Sequence, residues 1–401
     1  MIYKILYSIL VKIYKIVKPL LQNIKEFLIY MRKKSKQHLL QNRILTVHDL
    51  EYIKPKVVLY LAGKANSSYQ GNMWFRVLEK IDAKVAVVVR DYGILYGLDK
   101  TNLPIIYIKD MFELEYLEIF GVRTILYPSN TTKVSQSLRL YRLNHYFINH
   151  GESDKVVNQS KLLMAYDKLL LAGKLAHERL IEANLPLRDN QIVFVGRPQV
   201  ELFLKVESIS SIHTILYAPT WEGFVEEANY TSVGEFGVSL IKYLGQLSKH
   251  GMKIYFKPHP FTAITKRNNI KEYYLTMINI AKESEIQFID FNNSIYDYMN
   301  LCDLMITDIS SVISDFLYTE KPMILTNSQK QIHERINKDF TSSKSLYILD
   351  NPENINNLIV EIQTNDYLKD VRLNMKNDVL GNISDGYFNT FNKVINESLS
   401  L

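Results

Sequence analysis

The sequence predicts an α/β protein with two doubly wound parallel sheets in tandem, preceded by a basic amphipathic arm. Three observations predict this. From residue 56 onward, short apolar runs rich in Val, Ile, Leu and Tyr alternate with helical patterns. The runs do not alternate with polar residues, as expected of strands covered on both faces. They fall into two series separated by one polar stretch, and strands alternating with helices give parallel sheets. At 401 residues and 47% hydrophobic, the chain has room for two cores. Its single cysteine, Cys302, excludes an internal disulfide framework and a Cys-rich zinc site, and fits a reducing setting.

The first element is the arm, expected over residues 1–45. Met1 to Lys36 holds nine basic residues against one acid, Glu26, so the net charge of +6 averages a strongly basic arm and a slightly acidic body. At the helical step, Lys4, Lys12, Lys15, Lys18 and Lys25 share one side. Ile5, Ile9, Ile13, Ile16, Leu20, Ile24, Phe27 and Met31 share the other. Pro19 should kink or split this helix. The pattern fits a helix lying in an anionic membrane surface, and the competing reading is a helix packed on the protein's own core. The lysines interrupt any run long enough to span a bilayer, and no secretory signal is visible. Because the charge sits in the arm, no nucleic-acid partner is expected.

The first series of strands is Val57–Ala62, Val85–Arg90, Ile105–Ile108, Thr124–Tyr127, Tyr146–Asn149, Lys168–Leu171 and Ile192–Val195. It defines a unit over 46–205. The polar stretch Glu201–His213 reads as the linker. The second series is Thr214–Ala218, Lys253–Lys257, Ile286–Asp290, Leu304–Thr307, Met323–Thr326 and Leu346–Leu349, giving a unit over 206–401.

Doubly wound sheets bind ligands beyond the carboxyl ends of their strands, so the residues just after each run carry the chemistry. They are His150-Gly151, Gly196-Arg197-Pro198, Pro219-Thr220-Trp221, Pro258-His259-Pro260 and Asp308-Ile309-Ser310-Ser311. The prolines flanking His259 restrict the backbone around one imidazole, which suits a ring that must meet a charged group. His150 precedes a glycine that permits a sharp turn or close ligand approach, and an imidazole can take a proton from a hydroxyl. Ser310 and Ser311 open a helical stretch, where they either cap it or help hold a phosphate. Glu152, Asp154, Asp303 and Asp308 are read as turn and capping carboxylates rather than metal ligands. No metal spacing, dinucleotide fingerprint, P-loop or nucleophile elbow is present, so no cofactor and no metal are expected.

Taken in order, these motifs resemble the CDP-glycerol glycerophosphotransferases, which build teichoic acid and related capsule polymers. The matching pieces are His150-Gly151, Ala218-Pro219-Thr220-Trp221, Lys257-Pro258-His259-Pro260, Cys302 through Val312 with Asp315-Phe316 and Lys321-Pro322, and Ser384-Asp385-Gly386. The resemblance covers roughly 145–390. Residues 45–140 match only in architecture. It implies a GT-B fold, two Rossmann-like domains across a cleft. It also implies a CDP-glycerol or similar CDP-alditol donor held by the C-terminal domain, a lipid-linked acceptor hydroxyl, and release of CMP. On this resemblance His150 is the base and His259 contacts the donor diphosphate. Gly151, Arg197, Thr220, Lys257, Thr307, Asp308, Ser310, Ser311 and Asp315 are the donor-binding candidates. Two departures stand out. Where many family polymerases read His-Gly-Thr-Pro-Leu-Lys, this chain reads His150-Gly151-Glu152-Ser153-Asp154-Lys155, and Lys257 replaces an arginine. The expected location is peripheral, on the cytoplasmic face of the membrane. The alternatives are a GT-B glycosyltransferase using a nucleotide sugar and an inactive membrane scaffold.

Overall fold

A computed structural model describes residues 37–151, 160–223, 229–265, 269–290, 293–335 and 341–400, with Lys18, Phe27, Leu28, Met31 and Lys34. The amphipathic helix expected before residue 37 and the Glu152-Ser153-Asp154-Lys155 loop lie outside the described residues, save those five positions of the arm.

The first sheet contains β1 (Ile44–Leu45), β2 (Val57–Leu61), β3 (Val85–Val89), β4 (Ile105–Tyr107), β5 (Thr124–Tyr127), β6 (Asn144–Phe147), β7 (Lys168–Leu171) and β8 (Ile192–Phe194). The second contains β9 (Thr214–Ala218), β10 (Lys253–Phe256), β11 (Gln287–Phe288), β12 (Leu304–Thr307), β13 (Met323–Thr326) and β14 (Tyr347–Leu349). Every pairing in both sheets is parallel. The expected two-sheet α/β fold is therefore found.

The apolar runs form buried strands for the reason their composition suggests. In β2 all five residues are buried. Val58 and Tyr60 point into one core layer, and Val57, Leu59 and Leu61 into the layer on the opposite face. The second sheet is covered on both faces in the same way. Burial on two faces removes the alternation that a half-exposed strand would show.

The second sheet has the order β11-β10-β9-β12-β13-β14. Counted from β9 this is the doubly wound order 3-2-1-4-5-6, whose direction reverses between β9 and β12. The first sheet, β1-β4-β3-β2-β5-β6-β7-β8, reverses likewise between β2 and β5. Several strands are one residue shorter than their apolar runs, and three features differ more. The run Tyr146–Asn149 starts at Asn144 and ends at Phe147, because Asn149 takes a left-handed conformation (φ 54°) that leaves the sheet. Ile286–Asp290 contributes only two paired residues, at an edge. The two-residue edge strand β1 was too short to read in the pattern.

The chain crosses between the halves twice. The first crossing begins with the helix Pro198–Phe203, which takes the opening residues of the expected linker. The second is the final helix, Tyr387–Ser400, which returns to the first sheet. There Phe391 and Ile395 join the first sheet's core, Phe391 packs on Trp74 at 5.2 Å between ring centres, and the Ser398 and Thr124 hydroxyls lie 2.6 Å apart. The two crossings are joined. The Glu201 carboxylate accepts the N–H groups of Tyr387 (3.2 Å) and Phe388 (2.6 Å), a cap at the start of the last helix. Gly196 has φ 67°, and a Cβ there would overlap the Tyr387 ring. Among the described residues no helix is long and apolar enough to cross a membrane.

Candidate active site

His150 is placed by the turn that ends β6. The Trp74 indole N–H donates to the Asn149 carbonyl at 2.8 Å. The Asn149 side chain accepts from the His150 N–H and donates to the Gly151 carbonyl, both at 2.8 Å. This fixes the left-handed turn and swings His150 off the strand. Its Nδ1 lies 2.7 Å from the Pro128 carbonyl oxygen. A carbonyl only accepts, so Nδ1 carries the proton and Nε2 presents its lone pair. The Gln70 amide nitrogen is the group facing Nε2, at 3.5 Å. Burial, with the Arg197 charge adding to it, pulls the imidazole down to about 4, so the ring is neutral near pH 7. A Cβ on Gly151 would sit 3.1 Å from the Ser311 Cβ, so glycine lets this loop lie against the second half.

His259 follows β10 between two prolines and has the opposite tautomer. The Phe261 N–H donates to its Nδ1 at 3.0 Å, so the neutral ring carries its proton on Nε2. Trp221 stacks on the ring at 6.1 Å and Phe261 meets it edge-on at 5.4 Å. Lys257 is buried, and its Nζ donates to the Asp290 carbonyl at 3.2 Å. Burial lowers this ammonium to about 8, against the pull of Asp290.

One residue of the first half joins the two imidazoles. The Tyr69 ring, on the helix Ser68–Leu78, meets His150 at 5.8 Å and His259 at 6.4 Å, edge-on to both. Tyr69 lines a cavity of about 1500 Å³ between the sheets, with Lys257, His259, Ser310, Ser311 and Asp315 among its other walls. His150 is not itself a lining residue and adjoins that space through its contact with Tyr69.

The remaining expected residues divide by position. Ser310 occupies the N-cap position of the six-residue helix Ser311–Phe316, but its hydroxyl makes no capping bond. Asp308 is fully buried and accepts from the N–H groups of Thr220 (2.8 Å) and Ser232 (3.0 Å) and from the Thr326 hydroxyl. Thr307 donates its hydroxyl to the Ala218 carbonyl at 2.8 Å. Thr220, Thr307 and Asp308 thus brace the β9/β12 switch point from inside. Arg197 and Asp315, both buried, form an ion pair at 2.8 Å, and the Tyr296 hydroxyl donates to the same carboxylate at 2.9 Å. Tyr69 and Gln70 belong to no motif and were not legible. Arg90, which also lines the cavity, ends an apolar run as a lone cation, and that is a readable signal. Among the described residues no cluster of His, Cys, Asp or Glu could hold a metal ion.

The profile of the CDP-glycerol:poly(glycerophosphate) glycerophosphotransferases matches residues 145–390, more than half of the chain. The chain belongs to this family. The matched segment includes His150, His259 and the donor-binding candidates. This glycerophosphotransferase-family chain is 23% identical over 244 residues to the minor teichoic acid biosynthesis protein GgaB of Bacillus subtilis (strain 168), covering 56% of this chain and 25% of that protein. It is 30% identical over 155 residues to the teichoic acid ribitol-phosphate polymerase TarK of Staphylococcus aureus (strain NCTC 8325 / PS 47), covering 34% and 27%. It therefore spans about a quarter of the length of these curated relatives. Among solved structures, the wall teichoic acid polymerase TagF has the same fold, with a TM-score of 0.59 at 14% identity over 94% of this chain and 98% of that one. The GT-B architecture that the resemblance implied is thus the fold of the chain.

Proposed function

We propose that this protein transfers glycerol phosphate, or a related alditol phosphate, from a CDP-alditol to an acceptor hydroxyl in teichoic acid or capsular polymer synthesis, releasing CMP. One observation carries the reading. Two imidazoles of the family segment with opposite tautomers, one an acceptor at Nε2 and one a donor at Nε2, abut the same ring, Tyr69 of the first half. His150 Nε2 takes the proton of the acceptor hydroxyl as its oxygen bonds to the donor's β-phosphorus. The bond from that phosphorus to the bridging oxygen breaks, and CMP leaves with the electron pair. His259 and Lys257 meet the charge on the diphosphate. Phosphoryl transfer needs mostly such positioning and charge stabilisation. Ser310 and Ser311 line the same space. Arg197, Thr220, Thr307, Asp308 and Asp315 hold its wall in shape, and Gly151 lets the His150 loop close on it.

In this reading the first half is the acceptor domain and residues 206–401 supply most donor contacts. The acceptor is carried on a membrane lipid, and the basic arm rests on the anionic cytoplasmic leaflet. The exposure of Phe27, Leu28 and Met31 supports that, since a core-packed helix would bury them. The deciding experiment is a donor screen with the full chain, following release of CMP from CDP-glycerol and CDP-ribitol and of UDP from UDP-sugars. CMP release dependent on an acceptor supports the proposal. Turnover of UDP-sugars alone would replace it with a glycosyltransferase.

A further inference from the structure

The cavity has a second charged wall, facing the one that holds Lys257 and His259 and outside the segment shared with the family. Its centre is Arg90, directly after β3. Arg90 is 4% exposed, yet it lines the cavity. Its Nη2 donates to two neutral acceptors, the Lys109 carbonyl (3.2 Å) and the Gln136 side chain (2.9 Å). Its Nε and Nη1 are buried and meet no hydrogen-bond acceptor, the guanidinium lies over the Tyr60 ring at 5.9 Å, and among the described residues no carboxylate pairs with it. A buried guanidinium with two N–H edges unsatisfied is costly unless an anion completes it, and its planar fork matches a phosphate. Lys109 and Lys133 line the same wall. Lys133 is held only loosely by Asp91, at 3.7 Å. Beside them the Tyr92 and Tyr107 rings pack edge to face at 5.2 Å, an apolar surface for a polyol or sugar backbone.

We infer that Arg90, with Lys109 and Lys133, binds a phosphate group of the acceptor. This wall then holds a phosphate-linked polyol chain, the kind of acceptor for which the family is described, while its hydroxyl reaches His150. This rests on the transferase reading above for the identity of the ligand, and not for the anion site itself.

The test is calorimetric binding of synthetic di(glycerol phosphate) to the full chain, with uncharged diglycerol, inorganic phosphate and CDP-glycerol titrated separately. Arg90→Gln is expected to weaken di(glycerol phosphate) at least tenfold, and Lys133→Gln severalfold, with CDP-glycerol affinity unchanged in both. Diglycerol should bind all three proteins equally weakly. Wild-type affinity for di(glycerol phosphate) in folded Arg90→Gln overturns the inference. Should that variant not fold, unchanged affinity in Lys133→Gln and Lys109→Gln overturns it instead. Inorganic phosphate binding as tightly as di(glycerol phosphate) makes this a free-phosphate site and also counts against the proposal. If the wild type binds di(glycerol phosphate) but not CDP-glycerol, the donor reading fails while the anion site stands.

Discussion

Arg197, at the end of β8, and Asp315, in the helix after β12, form a buried ion pair that ties the strand ends of one sheet to those of the other. The guanidinium also reaches the His150 carbonyl at 3.5 Å, so the pair fixes the histidine loop relative to the opposite half. Removing one member leaves the other as an uncompensated buried charge. Arg197→Met or Asp315→Leu alone should cost about 3–5 kcal/mol of stability, and the double substitution much less than the sum. Urea melts of the three variants check this. Singles within about 1 kcal/mol of wild type, on the same scale, would show that the pair does not hold the halves together.

The two imidazoles should separate in their mutant kinetics. His150→Gln removes the lone pair that takes the acceptor's proton, and a loss of roughly 10²–10⁴ in kcat is expected. His259→Ala removes a donor to the diphosphate, with a loss of about 10²–10³. Both should keep the native circular dichroism spectrum. Full activity in His259→Ala would reject its assigned contact.

The pH profile follows from two burial-driven shifts. His150, lowered to about 4, stays neutral through pH 5–7, so the acid limb of kcat/KM should fall near pH 4 and not near 6.5. Lys257, lowered to about 8, loses its charge above that pH, giving an alkaline limb there that Lys257→Arg should abolish. Stability carries the same signature. The unfolded chain binds a proton at residue 150 below pH 6.5 but the folded chain only near 4, so stability drops as pH falls between those values and levels off below them. An acid limb centred at 6.5 would mean that water reaches the ring.

Tyr69 acts as a spacer for both rings, so its loss should affect turnover more than donor affinity. Tyr69→Phe keeps the ring and should retain most activity. Tyr69→Ala should lower kcat by at least about tenfold with CDP-glycerol binding within about twofold of wild type, since small misplacements of reacting groups are costly. Equal activity in both variants would remove Tyr69 from the site.

The arm is tested by flotation. Full-length protein should float with vesicles containing anionic lipid, weakly so at high salt, and a variant lacking residues 1–36 should not. Equal flotation of the two proteins would reject the arm as a membrane contact.

The two strand series and the strand-end positions of His150, His259 and Lys257 were legible because buried parallel strands and the residues that follow them leave local signatures, whereas the strand order that sets each switch point was not. Nor were three further features. The left-handed turn at Asn149 depends on the Trp74 indole, 75 residues away. Tyr69 and Gln70 gain meaning only when their helix is packed against the histidine loops. Asp308, Thr307 and Thr220 sit inside a ligand-like motif, yet their polar groups face one another behind the wall. Motif spacing alone does not distinguish a group that touches a ligand from one that braces those that do.

The return of the final helix to the first sheet has a consequence for biosynthesis. The ribosome delivers Trp74 long before Phe391, and Thr124 long before Ser398. The amino-terminal half therefore receives part of one core layer from residues that are translated after the whole second sheet. Cutting the chain before Tyr387 would strip Phe391 and Ile395 from the core of the half synthesised first and is expected to destabilise it.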